Sequence, residues 1–414
     1  SKTQNSFIDD LFSFAERSVP QSIVVAIVIG VVCGISAFVY YRILWGLLQY
    51  VWHTLPNKFI VDQWDSDYYA LWIPIVGFLM AAGVGLSVKY VGEPGDLPYT
   101  IKCVHEDGYI DILHMIPMVL ASQFSIIGGG SLGPEAPLVA ICACLGGFIS
   151  MRLFKRKNRN TVRKHTLMGM AGALAAFFGS PLGGSLFALE VNNRFGIEYF
   201  EHAVESIFCG EVTLAVFRGL AGLPIAPIWD IKAPTLDGAT PDHVLIGTCL
   251  GLLGAGAAAL FANFHWTLMG WLKKNDLLRN ERAVPRAFIG AIGIVSIGLV
   301  FPQTMFWGEY EFPTIVNMKD ASSLVHIWPT AGLFGFEMRD AFTAFLVGVF
   351  KLIAISFTVA GGYRGGFIFP FFATGAAFGR AINAIFPFVP IPLACLGMAA
   401  GINTAITRTS LATP

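Results

Sequence analysis

Residues 128–148, GGGSLGPEAPLVAICACLGGF, place one carboxylate, Glu135, between Pro134 and Pro137 at the head of an otherwise apolar run. No Lys or Arg beside it in sequence neutralises it. Glycines let a backbone turn sharply and approach a ligand, and a proline in the first helical turn sacrifices an N–H that has no partner there anyway. The remaining N–H groups of that turn lack internal acceptors, and the helix dipole adds roughly half a positive charge. An anion satisfies both. Glu135 is itself such an anion, able to occupy the amides, block them, and be displaced by a permeating ion or by protonation. On a surface helix it would simply stabilise the dipole, but an ionisable residue inside a membrane segment is a functional candidate by default.

Other chemistry finds little support. The seven cysteines, Cys33, Cys103, Cys142, Cys144, Cys209, Cys249 and Cys395, sit in apolar surroundings without CxxC or Cys/His spacing, and are expected to be buried small hydrophobes. The eight histidines form no HExxH motif and no pair one turn apart, so no metal site and no cofactor is expected. With no Ser/His/Asp or paired-Asp constellation, the chain is not expected to be an enzyme. A formal net charge of zero gives no reason to invoke nucleic acid.

The elements that carry Glu135 follow from composition. Of 414 residues, 55% are hydrophobic and 13% charged, with a mean hydropathy of +0.64. Soluble domains carry about 25% charge, so this chain is read as a multi-pass integral membrane protein whose partner is the lipid bilayer. About 20 apolar residues cross the hydrocarbon, and segments 20–52, 70–91, 109–127, 243–272, 285–301 and 341–360 qualify. Shorter apolar pieces at 95–103, 134–150, 166–178, 181–193, 367–384 and 390–405 are broken by glycine and proline. Helices too short to span end inside the protein, where their backbone ends need partners. Residues 152–165 hold seven Lys/Arg and no acid, and 273–286 hold five against two acids, which places both on the cytoplasmic side. The acidic, aromatic-rich segments 53–68, 222–242 and 303–340 suit the opposite face, and residues 1–18 read as an interfacial amphipathic helix.

The chain also repeats itself. A shift of 233 aligns Gly128 with Gly361, Gly129 with Gly362, Gly133 with Gly366, Pro137 with Pro370, Ala140 with Ala373, Ala143 with Ala376 and Gly146 with Gly379. A second pair, GMAGALAAFF from Gly169 and GMAAGINTAI from Gly397, lies 228 apart. Duplication with interrupted helices marks transporter-type folds, in which the halves meet at the ion site. Residues 19–235 and 236–414 are the expected repeats; self-comparison leaves open whether they are parallel or inverted. If 134–148 and 367–380 aim their starts at one point, backbone amides alone hold a dehydrated anion. Partial charges spread over several amides release an ion that a full cation would trap. Arg364, the one nearby cation, is expected on the loop before the second helix.

With these residues in place, the chain resembles the chloride channel and chloride/proton exchanger (ClC) family from residue 20 onward. LGPEAPLVAI at 132–141 is similar to the family's G-R-E-G-P motif, with Pro134 replacing the arginine and Ala136 the second glycine. GGFIFP at 365–370 resembles the G-x-F-x-P helix start, and SPLGGSLFALEV at 180–191 the small-residue stretch ending in acidic positions. The resemblance implies an all-α fold of inverted repeats with broken, partly re-entrant helices, a homodimer with one pathway per subunit, Glu135 as the gating glutamate, and the Phe367 and Ile368 amides at the central anion. The family's G-S-G-I-P segment corresponds to PGDLP at 94–98, with Gly95 at the serine position and Asp96 beside it, capping a helix that starts at Leu97. The proton-transfer glutamate of the exchangers aligns with Val191, one residue after Glu190. A further family tyrosine, from helices beyond the segment 390–405, has no counterpart here, so the second repeat reads as incomplete at its C-terminus.

The resulting expectation is a chloride or similar small-anion channel gated by Glu135, with Gly95, Asp96, Pro134, Ala136, Phe367 and Ile368 around the anion. The alternative is an anion/proton antiporter in which protons are a second substrate and Glu190 relays them. A carrier of organic carboxylates would need a polar pocket that the apolar run after Pro137 does not supply.

Overall fold

The computed structural model describes residues 2–61, 70–92, 95, 97–192, 203–225, 228–229, 240–319, 324–326, 338 and 340–409. Among them the chain is helical: α1 (Lys2–Gln49), α2 (Trp72–Tyr90), α3 (Leu97–Glu106), α4 (Ile112–Ile127), α5 (Glu135–Phe148), α6 (Arg159–Phe178) and α7 (Pro181–Asn192). Then follow α8 (Ala203–Ala221), α9 (Pro241–Lys274), α10 (Ala283–Val300), α11 (Phe312–Val316), α12 (Ala341–Ala360), α13 (Ile368–Ile385) and α14 (Ile391–Thr407). Local signals set the boundaries. Thr240 and His243 form a capping box ahead of Pro241, Asp340 caps α12 by accepting from the Thr343 amide, and Gly179 closes α6 in the left-handed conformation.

Among the described residues, seven helices are long and apolar enough to span a membrane. They correct the expected inventory in two places. The segment expected to span at 109–127 is a 16-residue helix containing Pro117, too short to cross. The piece at 134–150 continues through a π-helical turn, Ile149–Leu153, to give a 19-residue apolar stretch, and α13 reaches 18 residues. A helix that hydropathy missed, α8, carries Glu205, Glu211 and Arg218. Structure accommodates two of these charges: Lys164 pairs with Glu205, and Arg218 donates to the Pro224 carbonyl at 2.8 Å. The cysteines also need correction, since Cys249 is exposed and Cys103 half-buried, although all seven are free thiols.

The chain forms two compact units. The first holds residues 1–40, 97–112 and 138–228, that is, the start of α1, α3, most of α5, and α6 to α8. Its helices meet at backbone contact: a Cβ at Gly146 of α5 would stand 2.3 Å from the His165 carbonyl oxygen of α6. The second unit holds residues 41–96, 113–137 and 229–414, which include α2, α4, the first three residues of α5, and α9 to α14. Here the repeat-equivalent residue, Gly379 of α13, would place its Cβ 2.5 Å from the backbone of Ala394 on α14. Sequence equivalence at a shift of 233 therefore reappears as equivalent helix packing, with small residues allowing the close approach in both.

Candidate functional site

The site lies in the second unit, where the two glycine-rich segments meet. Gly133 and Gly366 form an isolated antiparallel bridge, each donating its N–H to the other's carbonyl at 2.7 Å. These are the very residues that the repeat pairs. The surrounding bonds are reciprocal too. The Ser131 amide donates to Thr358 Oγ1 at 3.1 Å, and its counterpart, the Arg364 amide, donates to Ser125 Oγ at 2.9 Å. Ser125 and Thr358 are again 233 apart, and both hydroxyls back-bond to the carbonyl four residues earlier, Ala121 and Ala354. A residue that contacts its own equivalent, flanked by mutually exchanged bonds, is what a two-fold relation between halves produces. The two glycine-rich segments are thus related by a local two-fold axis.

This arrangement aligns the starts of α5 and α13. Glu135, the first residue of α5, is 2% exposed, and its Oε1 accepts from the Phe369 amide of α13 at 3.3 Å. Its Oε2 is buried with no hydrogen-bond partner among the described residues. The carboxylate lies over both bridge glycines: a Cβ at Gly133 or Gly366 would sit 2.2 or 2.4 Å from Oε2. Glycine is needed at both because the side chain fills the space a methyl would take. Prolines at 137 and 370 sit in the first turns, so neither removes a helical hydrogen bond.

The other expected site residues divide. Pro134 is buried in the turn before α5, and Ala136 is half-buried in its first turn. Phe367 caps α13 and Ile368 opens it, both half-buried, but the amide that meets Glu135 is one residue deeper, at Phe369. Arg364 lies on the loop before α13, as expected. Gly95 is half-buried, Leu97 starts α3 as expected, and Asp96 lies outside the described residues. Glu190 and Val191 lie near the end of α7 in the first unit, the former half-buried and the latter buried.

Sequence reasoning missed the groups behind the site. Lys351, in the middle of α12, is 1% exposed, and its Nζ donates to the carbonyls of Thr304, Met305 and Phe306 at 3.0, 3.1 and 2.8 Å. It thereby fixes the segment 304–308, whose Trp307 packs on Gly133: a Cβ on that glycine would lie 2.9 Å from Trp307 Cβ. The Phe306 amide also donates to the Gly129 carbonyl at 3.3 Å. A lysine inside the apolar run 341–360 was the available signal. Trp307 had none, because its role depends on a contact 174 residues away in sequence.

Broken helices meeting start to start around a buried carboxylate, in a helical chain with seven candidate spans, define a multi-pass membrane protein of the ion-transporting class. The sequence profile described as voltage gated chloride channel matches residues 80–413. The chain belongs to this chloride channel (CLC) family. Curated relatives agree: YfeO of Escherichia coli strain K12 (DH10B), named for ion transport, is 26% identical over 391 residues, 92% of this chain and 84% of the relative. Solved structures share the fold. A CLC-type fluoride/proton antiporter superposes with a TM-score of 0.68 at 19% identity, covering 95% of this chain and 89% of that one. A slow cyanobacterial Cl−/H+ antiporter gives 0.67 at 15% identity, covering 95% and 88%.

Proposed function

We propose that the chain is a chloride or similar small-anion channel in which the Glu135 carboxylate occupies the anion's seat and acts as the gate. The observation that carries this reading is the hydrogen bond from the Phe369 amide to Glu135 Oε1, which joins the first turn of one repeat helix to that of the other. An anionic side chain on those amides stands in for a permeating anion, so vacating them opens the seat. Partial charges on the Ala136, Ile368 and Phe369 amides attract a dehydrated anion without trapping it. Gly95 and Asp96 complete the seat in this reading, and Pro134 shapes the turn that aims α5. Residues 19–235 and 236–414 are its two repeats, and the working assembly is a homodimer with one pathway per chain.

Glu135→Gln removes the charge while keeping the shape. It is expected to raise anion flux from proteoliposomes at neutral pH and to flatten its pH dependence. An unchanged pH profile would refute the gate.

An anion/proton antiporter is the second reading, favoured by Glu135 Oε2, a buried carboxylate oxygen left free to take a proton. Both antiporters named above share the fold, and Glu190 would then relay protons inward. Val191, at the aligned proton-transfer position, favours the channel. An imposed chloride gradient, and separately a fluoride gradient, is expected to drive no uphill proton movement; uphill pumping at a fixed stoichiometry would replace the channel by the antiporter.

A further inference from the structure

The second unit buries another ionisable pair that gating by Glu135 does not use. Glu311, 0% exposed at the start of α11, has neither carboxylate oxygen in a hydrogen bond, and His326, 1% exposed, has neither ring nitrogen in one. They face each other, with His326 Nε2 3.8 Å from Glu311 Oε1. The facing carboxylate and imidazole have room for one more proton between them.

The imidazole is also enclosed by aromatic rings. Trp307, Tyr310, Phe306 and Trp45 place their centroids 4.4, 5.1, 5.2 and 5.3 Å from the His326 ring. Rings at such distances exclude water, and burial disfavours both an imidazolium on His326 and a carboxylate on Glu311, so an added proton falls to the Glu311 carboxyl. The surrounding charges allow it. From α12, Lys351 acts on Glu311 as a countercharge. From α1, Tyr41 bonds its hydroxyl to that of Tyr310 at 3.0 Å. From the π-helical turn after α1, His53 is engaged by the Val325 carbonyl. From the same loop, Glu309 accepts from the Trp307 indole at 2.9 Å. The Glu309 and Glu311 carboxylates outnumber the Lys351 ammonium, so a proton on Glu311 brings the cluster to neutrality.

We propose that His326 and Glu311 form a second proton-binding site, separate from Glu135, and that its protonation promotes anion passage through Trp307. Trp307 is the link because it touches both the His326 ring and Gly133, the glycine under the Glu135 carboxylate. The effect on passage rests on the channel reading; the proton binding does not.

Two measurements on the full chain test it. Infrared difference spectra of detergent-solubilised Glu135→Gln, which lacks the other buried carboxyl of the site, between about pH 5 and 8 should show a buried carboxyl band that titrates. The band should vanish on adding Glu311→Gln and titrate at a different pH on adding His326→Gln. A band unaffected by both substitutions, or no titrating band, overturns the site. Should Glu311→Gln fail to fold, Glu311→Asp keeps the acid on a shorter stem and is expected to shift the titration; an unshifted titration also overturns the site. In proteoliposomes, Glu135→Gln should retain a residual rise in chloride flux on acidification, and adding Glu311→Gln should abolish it. Persistence of that rise in the double variant overturns the link to passage. Absence of flux in the unsubstituted protein, with the band still titrating, refutes the channel reading and leaves the proton site standing.

Discussion

Replacing Gly366 with alanine perturbs the gate from beneath. The three atoms nearest an added methyl all belong to Glu135: Oε2 at 2.4 Å, Cδ at 2.6 Å and Cβ at 2.8 Å. Gly366 does not occupy the left-handed region, so alanine is acceptable to the backbone and the effect is steric. Relaxed heavy-atom contacts begin near 3.5 Å, so the carboxylate must retreat by about 1 Å. Its bond to the Phe369 amide, already 3.3 Å long, does not survive such a shift. A hydrogen bond to a charged acceptor contributes about 1.5–3 kcal/mol, so the blocked state should lose about 10- to 150-fold in population. Chloride efflux from proteoliposomes should therefore rise at neutral pH, approaching that of Glu135→Gln. The double variant Gly366→Ala/Glu135→Gly is the control, because removing the whole side chain, Cβ included, makes room for the methyl. It should conduct like Glu135→Gly alone. Equal loss of flux in both backgrounds would mean that the methyl obstructs the pathway itself, and a wild-type pH profile in Gly366→Ala would mean that the carboxylate was never the block.

Other outcomes follow from the same geometry. Lys351→Met leaves the Thr304, Met305 and Phe306 carbonyls without their donor, at about 1–3 kcal/mol per buried group, and should lower the melting temperature in detergent well below that of the exposed-site variant Lys58→Met. Gly379→Ala forces a Cβ to 2.5 Å from the α14 backbone and should destabilise by about 1–3 kcal/mol, whereas Gly256→Ala, with nothing within 4 Å, should be neutral or stabilising in the same thermal assay. Hydrogen bonds from the Thr343 and Phe342 amides hold the Asp340 carboxyl below its usual range. Its contribution is therefore present above the unfolded-state value of about 3.9 and lost as pH falls through the folded one. Asp340→Asn should flatten the acid limb of melting temperature against pH below about 4; an unchanged limb would contradict this.

Much of the site was legible before any coordinates. Glycine and proline at matching offsets marked both helix starts, because only those residues give a tight turn followed by a helix with unpaired amides. Glu135 was identifiable because a lone carboxylate in an apolar run demands a local reason. Two errors had local causes: hydropathy overstated 109–127, which α4 enters only at residue 112, and passed over α8, whose charges find partners only in the folded chain.

By itself the sequence determined a membrane-embedded helical chain, its duplication and the residue types at the two breaks, since these depend on composition and on spacing along one strand of text. Tertiary structure alone decided that Gly133 pairs with Gly366, that Phe369 rather than Ile368 meets Glu135, and that Lys351, Glu311 and His326 gather behind Trp307. Those pairings join residues that no periodicity relates, and burial in a low-dielectric interior then gives each polar contact its weight.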